Sequence, residues 1–142
     1  DTGVRLGDAF NFKKDAIQRL DGKYFIGLYA DETKNNTTSS VPLTRRCVAI
    51  VHAIGDFSHL DYNMTERVWK RLRQDMGLDG DKQFVIHCLR HTCASRLAQS
   101  GKVELHFIKE WLGHKSYNMT LRYAHLMPKN LLKAVSILED YE

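Results

Sequence analysis

The sequence lacks the features that mark membrane-spanning and exported proteins. Its longest apolar stretches, at residues 25–30 and 48–54, fall far short of the roughly 20 residues that a membrane span needs. The first residues show no basic segment followed by an apolar one, which is the pattern of an export signal. We therefore expect a soluble protein that carries no export signal in this sequence.

Cysteine is also scarce, and its spacing excludes two common kinds of site. The three cysteines are odd in number and contain no C-x-x-C pair, so neither a disulfide framework nor a typical zinc site is predicted. We expect reduced thiols that pack in the core. They are Cys47, Cys88 and Cys93.

The chain has only a small excess of charge of one sign. Its 21 Lys and Arg exceed its 17 Asp and Glu by a net charge of +4, and its pI is about 9.0. This balance agrees with a polyanionic partner, but many proteins without one share it. At 142 residues, with 43% hydrophobic residues and no internal repeat, the chain is the size of one domain.

The first third of the chain mixes a helical pattern with strand patterns. Apolar residues within 4–9 suggest a helix that is already under way at the start. Residues 24–29 are rich in strand formers, and Asp21-Gly22 supplies a turn before them. The polar segment 33–40, with its tip at 35–36, predicts a hairpin that returns through a third strand.

The remainder is typical of helices with recognisable ends. Six helices are predicted. Thr44 caps the first, which runs to Ile54, Thr65 caps the second, which ends at Gly77, and the third covers His87 to Gln99. The fourth ends at Gly113, Ser116 caps a short fifth helix through Tyr123, and Pro128 opens the last, whose apolar face carries Leu131, Leu132, Val135 and Leu138. The predicted fold is therefore mainly α-helical with a small antiparallel β-sheet, an α+β domain.

Two of these helices have apolar faces that can be predicted from their spacing. Leu89, Cys93 and Leu97 form one stripe of the third helix, at i, i+4 and i+8. In the fourth helix, Leu105, Ile108 and Leu112 form the predicted buried face.

Residues suited to anion chemistry accompany these helices. His87 and Arg90 lie three residues apart, about 60° around the helix and away from the apolar stripe, so they can reach one anion together. His114 follows Arg90 by 24 residues, directly after the helix-ending glycine, and Tyr123 comes nine residues later. The spacing predicts that a histidine and a phenol lie close together.

These residues carry a resemblance to a known family. The runs H-C-L-R-H-T at 87–92, L-G-H at 112–114 and Y-A-H-L at 123–126 are similar to the signature of the tyrosine recombinase (phage integrase) family in order and nearly in spacing. Residues 2–8 resemble the family's first arginine motif. Residues 32–43 resemble its β-hairpin lysine segment, so the resemblance covers essentially the whole chain.

The resemblance implies a fold, an activity and partners. It predicts one catalytic domain over residues 1–142, a fragment without the family's N-terminal DNA-binding domain. It implies site-specific recombination of double-stranded DNA at an attachment or recombination site, without a cofactor or metal. It also implies a homotetramer on DNA that exchanges C-terminal segments, in the cytoplasm of a bacterial host.

Six residues match the family's catalytic positions, and each suits a step of phosphoryl transfer. Two guanidiniums clamp the phosphate oxygens, a phenol attacks the phosphorus to give a 3′-phosphotyrosyl intermediate, one histidine accepts a proton, the other bonds the phosphate, and a lysine protonates the leaving 5′ oxygen. The two guanidiniums are those of Arg5 and Arg90, and the attacking phenol is that of Tyr123. His87 is the histidine that accepts a proton, His114 the one that bonds the phosphate, and Lys34 the lysine that protonates the leaving oxygen.

Some residues depart from the pattern or have ordinary alternatives. Asp8 stands where the family usually has glutamate, so its support of Arg5 is a weaker expectation. We expect His91 and His125 to be structural or close to DNA rather than catalytic. The pair His87 and His91, with cysteines nearby, could indicate zinc, but the arginine between them would repel a cation.

Two other functions fit the same residues. A type IB topoisomerase-like enzyme would use the same phosphotyrosine chemistry to relax supercoils. A DNA-binding module with an inactive site would keep the basic residues without the reaction. Formation of a covalent adduct with a nicked suicide duplex distinguishes an active enzyme from a module that only binds.

Overall fold

Helices and a small three-stranded sheet make up this computed structural model, which describes residues 1–28, 39–128, 135 and 137–140. The fold class predicted from the sequence is confirmed. The elements are α1 (Leu6–Ala9), a 3-10 turn (Lys14–Ala16), β1 (Ile17–Leu20), β2 (Lys23–Leu28), β3 (Ser39–Leu43), α2 (Arg45–Ile54), α3 (Tyr62–Asp75), α4 (His87–Gln99), α5 (Leu105–Leu112), α6 (Asn118–Leu121) and a second 3-10 turn (Ala124–Leu126). Among the described residues, no helix is both long and apolar enough to cross a membrane.

The sheet is antiparallel, with its strands in the order β1-β2-β3. Asp21 and Gly22 both have positive φ, 47° and 74°, as the predicted turn between β1 and β2 requires. β2 then pairs with β3, so that Tyr24 faces Leu43. The predicted second and third strands are therefore confirmed, while the predicted hairpin tip at 35–36 lies outside the described residues.

The structure has two apolar clusters, and the sheet and α2 contribute to the first of them. Alternation along β2 buries Ile26 and Leu28, which are almost fully inaccessible to solvent. Thr44 caps α2 as predicted, because its hydroxyl accepts a hydrogen bond from the backbone N–H of Cys47 at 3.2 Å. The buried members of this cluster are Phe12, Ile26, Leu28, Val41, Leu43 and Val51.

The second cluster joins α4, α5 and the segment after α6. Its buried members are Ala94, Ala98, Leu105, Ile108, Leu112 and Tyr123. The predicted buried face of α5 is confirmed, and Gly113 ends that helix in the left-handed conformation at φ 61°. The bounds predicted for α4 also agree with the structure.

The predicted stripe of α4 is wrong at Leu89, although Leu97 packs against the second cluster and Cys93 is partly buried. Leu89 is 57% exposed, and the face that packs inward carries Arg90, Ala94 and Ala98 instead. Two alanines let neighbouring segments approach α4 closely, and the arginine is buried because backbone carbonyls accept its hydrogen bonds. An apolar pattern favours large side chains and therefore missed this face.

Three predicted helix ends also need correction. Asp61, not Thr65, caps α3: its carboxylate accepts from the N–H of Met64 at 2.6 Å, and a charged acceptor suits a helix N-terminus. At the start of the chain, residues 1–5 are not helical. The short helix before Tyr123 ends at Leu121 because the backbone tightens into 3-10 geometry.

The predicted last helix lies partly outside the described residues. Val135 and residues 137–139 are helical, in agreement with the prediction, whereas Leu131 and Leu132 are not described.

The first three residues are held against α4 and α5 by their backbone carbonyls. The carbonyl of Asp1 accepts from the thiol of Cys93, that of Thr2 from the indole of Trp111 at 2.9 Å, and that of Gly3 from Arg90. Val4 then packs against the sheet cluster. This segment therefore connects the two apolar clusters next to the predicted arginines.

Gly3 is the tightest point of that segment. Its φ is +66°, and a methyl group there would lie 3.0 Å from the sulfur of Cys93 and 3.1 Å from a methyl of Leu112. We predict that Gly3→Ala lowers the free energy of unfolding by about 2–4 kcal/mol, since left-handed strain adds to overpacking. Urea denaturation measures this loss.

Gly77→Ala is the matched control. Gly77 has a similar φ of +68°, but no atom lies within 4 Å of an added methyl. Gly77→Ala should therefore lower the free energy of unfolding only through backbone strain, by roughly 1–2 kcal/mol. Equal losses in the two variants would show that the close approach of Gly3 to α4 and α5 has no energetic importance.

Candidate active site

Eight residues enclose a cleft of about 110 Å³. It is lined by Arg5, His87, Arg90, His91, His114, Met119, Arg122 and Tyr123. Five of the six residues predicted from the sequence are thus brought together from the start of α1, from α4 and from the segment that follows α5. The sixth, Lys34, lies outside the described residues.

Arg90 is the buried guanidinium of the cleft and only 6% exposed. Its Nη1 donates to the carbonyl of Gly3 and its Nη2 to the carbonyl of Leu112, both at 2.5 Å. The carbonyl of Leu112 can accept this bond because α5 ends at Gly113 and leaves its last carbonyls without helical partners. These two bonds fix the plane of the guanidinium and leave its remaining N–H donors for an anion.

Arg5 lies beside the same helix end. Its Nη2 donates to the carbonyl of Gly113 at 3.5 Å, and its Nη1 lies 3.8 Å from the carboxylate of Asp8 one turn along. Asp8 is itself buried, 7% exposed, so its charge is poorly screened by water. The contact agrees with the expectation that Asp8 orients Arg5.

His114 is buried and hydrogen-bonded to a hydroxyl. Its Nδ1 lies 2.8 Å from the Oγ1 of Thr120, a fully buried side chain. Burial, followed by the charges of Arg90 and Arg5, lowers the pKa of His114 to about 4. The imidazole is therefore neutral at neutral pH and can donate a hydrogen bond to an anion only from Nε2, if Nδ1 is the acceptor.

Tyr123 lies at the rim of the second apolar cluster with its hydroxyl toward the cleft. The side chain is 5% exposed, and its Oη lies 2.6 Å from Nδ1 of His91. Burial raises the pKa of the phenol, although the nearby charges of Arg122 and Arg90 oppose this effect. The phenol is therefore protonated at neutral pH.

His87 stands at the more exposed edge of the cleft. Its ring meets that of His91 edge to face, with centroids 4.8 Å apart. Burial, followed by the charges of His91 and Arg90, lowers the pKa of His87. This histidine is therefore also neutral at neutral pH, and the positive charge of the cleft comes from its arginines.

Three lining or supporting residues were missed from the sequence. Thr120 contacts His114 with its side chain and accepts from the backbone N–H of Tyr123 at 3.0 Å. Arg122 adds a third guanidinium to the cleft, and His91, which was expected to be structural or close to DNA, also lines it. No sequence signal marks Thr120 or Arg122, whereas the position of His91 one turn after His87 could have placed it in the cleft.

The cleft has the chemistry of an anion receptor. Its charged lining groups are three guanidiniums, of which that of Arg90 is buried, and a guanidinium is well suited to planar recognition of phosphate oxygens. Within the ranges that the structure describes, no three His, Cys, Asp or Glu side chains are grouped as they would be to hold a metal ion. The zinc hypothesis for His87 and His91 therefore has no support in the geometry.

The sequence profile of the phage integrase family matches residues 1–130. The chain belongs to the phage integrase family. It is 28% identical over 142 residues to the integrase of Escherichia phage P2, with 96% of this chain and 38% of the P2 protein covered.

Solved structures show the same fold. The catalytic domain of bacteriophage HP1 integrase is 26% identical, with a TM-score of 0.68 and 95% of this chain and 74% of that chain covered. The XerH site-specific recombinase, in a post-cleavage complex with a palindromic difH substrate, is 25% identical, with a TM-score of 0.70 and 97% and 43% covered. The chain spans less than half the length of the curated relatives that it matches.

The lowered pKa of His114 predicts how stability depends on pH. The unfolded chain binds a proton at this residue near pH 6.5, whereas the folded chain binds it only near pH 4. Between these values the unfolded state holds more protons, so stability falls as the pH falls. We expect the urea midpoint to drop over this range.

His114→Asn removes this proton site and should make the pH dependence between 6.5 and 4 shallower. Imidazole resonances in NMR spectra would identify the titration directly. An unchanged slope in the variant, or a His114 resonance that titrates near 6.5, would contradict the burial argument.

Proposed function

We propose that this chain carries the catalytic centre of a site-specific DNA recombinase of the integrase type. The observation that carries the proposal is the convergence of two anchored arginines, two histidines and one tyrosine on a single cleft of about 110 Å³. An anion receptor with a phenol at its rim suits attack on a phosphodiester. Integrases and recombinases among the relatives of the chain support the same reaction class.

In this proposal, the scissile phosphate enters between the guanidiniums of Arg5 and Arg90. Their fixed orientation stabilises the charge that develops on the non-bridging oxygens, without reorganisation during the reaction. Tyr123 attacks the phosphorus and displaces the 5′ oxygen, which leaves a 3′-phosphotyrosyl bond. The bond energy is conserved, so a new 5′ hydroxyl can reverse the step and rejoin the strands.

The remaining predicted residues have supporting roles in the proposal. His114 donates a hydrogen bond to a phosphate oxygen, in keeping with its neutral imidazole. Lys34, on the segment between β2 and β3, is the proposed general acid for the leaving 5′ oxygen. His87 was assigned from the resemblance as proton acceptor, and it lines the cleft beside Arg90.

The proposed partner is double-stranded DNA at a recombination site. The similar XerH site-specific recombinase is bound to difH substrates in its pre-cleavage and post-cleavage complexes, which supports this partner. Assembly into a tetramer on DNA, with exchange of C-terminal segments between protomers, and action near the nucleoid of a bacterial host extend the proposal.

A covalent adduct with DNA tests the reaction. The chain is incubated with a pool of nicked suicide duplexes of randomised sequence, and denaturing gels separate DNA-linked protein. We predict adducts with the wild type and none with Tyr123→Phe, whereas Tyr117→Phe retains them because Tyr117 is half exposed and does not line the cleft. Sequencing of the captured DNA identifies the site.

Arginine variants test the clamp in the same assay. Arg90→Lys should reduce adduct formation by about 100-fold or more, since lysine cannot reproduce two anchoring bonds and a planar face. Arg96→Lys changes an exposed arginine on the same helix and should have little effect. Retarded but unlinked DNA with the wild type would favour a binding module with an inactive site, and relaxation of supercoils without recombinant products would favour a topoisomerase.

A further inference from the structure

The closest polar contact of Tyr123 is with a histidine that the resemblance does not include among the catalytic residues. Nδ1 of His91 lies 2.6 Å from the phenolic oxygen, at the short end of hydrogen-bond distances. The two residues are 32 positions apart, on α4 and in the segment after α6. This contact therefore forms only when the two segments pack together.

The direction of this hydrogen bond is set by the tautomer of His91. Within the described part of the chain, His91 is the only side chain that hydrogen-bonds the Oη of Tyr123. The proposed transfer requires the tautomer in which the phenol donates to Nδ1, because a phenol that attacks phosphorus must give up its proton. His91 then carries its own hydrogen on Nε2, for which the described residues provide no hydrogen-bond partner.

The protonation states of the pair suit a transfer in this direction. Burial, followed by the charges of Arg122 and Arg90, lowers the pKa of His91, so the imidazole is neutral near neutral pH and one of its two ring nitrogens is free to accept a proton. Burial raises the pKa of Tyr123, so the phenol does not ionise unaided. A nucleophile in this state needs a base within hydrogen-bond reach.

The other two histidines of the cleft are less well placed for this task. Nδ1 of His114 is already engaged by Thr120. His87 has no hydrogen bond to Tyr123 within the described residues. Its ring meets that of His91 edge to face instead.

We propose that His91, rather than His87, is the catalytic residue that accepts the proton of Tyr123 during strand cleavage and returns it during rejoining. This assignment rests on the proposed function. It leaves His87 as a residue that packs against the ring of His91 and lines the phosphate cleft.

The proton and bond changes balance as follows. As Oη of Tyr123 forms its bond to phosphorus, the O–H bond breaks and its proton passes to Nδ1 of His91, which becomes an imidazolium. The bond from phosphorus to the 5′ oxygen breaks with its electron pair on oxygen, and that oxygen takes a proton from the general acid, Lys34 in the proposed function. Rejoining reverses both transfers.

One alternative predicts the opposite effect of mutation. If the hydrogen bond of His91 only restrained Tyr123 in a position from which it cannot attack, its loss would release the phenol and accelerate cleavage. If His91 is the base, the same loss removes the proton acceptor and slows cleavage.

The tautomer of His91 tests the proposal on the chain itself, without DNA. In ¹⁵N-detected imidazole spectra near neutral pH, we expect His91 to be neutral with its hydrogen on Nε2 and none on Nδ1. A hydrogen on Nδ1 would mean that His91 donates to Tyr123 and cannot receive its proton, which would overturn the proposal. This result does not depend on the activity of the chain.

Kinetics on captured suicide duplexes give the second test. His91→Asn places an amide oxygen near the position of Nδ1, so it can accept a hydrogen bond but not a proton. We expect it to slow single-turnover cleavage by about 100-fold or more, with partial recovery at alkaline pH as the phenol ionises by itself. His52→Asn, an exposed change on α2, is the control.

The pH profile separates a base from a structural role. Wild-type cleavage should decline as the pH falls below the ordinary range of histidine, through the lowered pKa of His91. The titratable and charged groups around His91 are His87 and Arg90 on α4, Arg122 and Tyr123 after α6, and His114 after α5, and of these the charges of Arg122 and Arg90 lower its pKa. His91→Asn should lose that inflection.

Cleavage by His91→Asn that matches or exceeds the wild-type rate, or that keeps the same inflection, would overturn the assignment. A wild type that forms no adduct with any duplex in the pool would instead contradict the proposed function, while the tautomer measurement would still report on the hydrogen bond. The two failures are therefore distinguishable.

Discussion

The two hydrogen bonds of Arg90 to the carbonyls of Gly3 and Leu112 are the constraint on which the rest of the site depends. A buried guanidinium is costly unless acceptors surround it, and these acceptors exist because α5 ends at Gly113 and the first residues lie flat against α4. The same helix end supplies the carbonyl that Arg5 contacts and begins the segment that carries His114. One helix terminus thus organises the cationic side of the cleft.

The opposite side of the cleft depends on a second small network. Thr120 joins the imidazole of His114 to the backbone of Tyr123, and the hydroxyl of Tyr123 contacts His91 on α4. Tyr123, the proposed nucleophile, is therefore positioned from both sides, by its own segment and by the helix that carries Arg90. Rigid placement of this kind reduces the reorganisation that a reaction with phosphate requires.

Much of the fold and of the site could be predicted from local pattern. The bounds of α4, the cap at Thr44 and the turn at Gly113 follow from signals within a few residues, and the order of the motifs identified the residues that converge. Contacts between distant segments could not be predicted in this way. The inward face of α4 is decided by the carbonyls that surround Arg90, and the role of His91 by a neighbour 32 residues away. Neither of these features can be predicted from the periodicity of apolar residues.

In the proposed reaction, folding gathers these side chains around a phosphodiester, with Tyr123 as the attacking group. Mass spectrometry of the DNA-linked peptide from the wild-type protein tests it most directly, because it identifies both the modified residue and the attached end of the DNA. The account predicts a 3′ phosphate linked to Tyr123 and a free 5′ hydroxyl on the other fragment. Linkage through another residue, or through a 5′ phosphate, would contradict it.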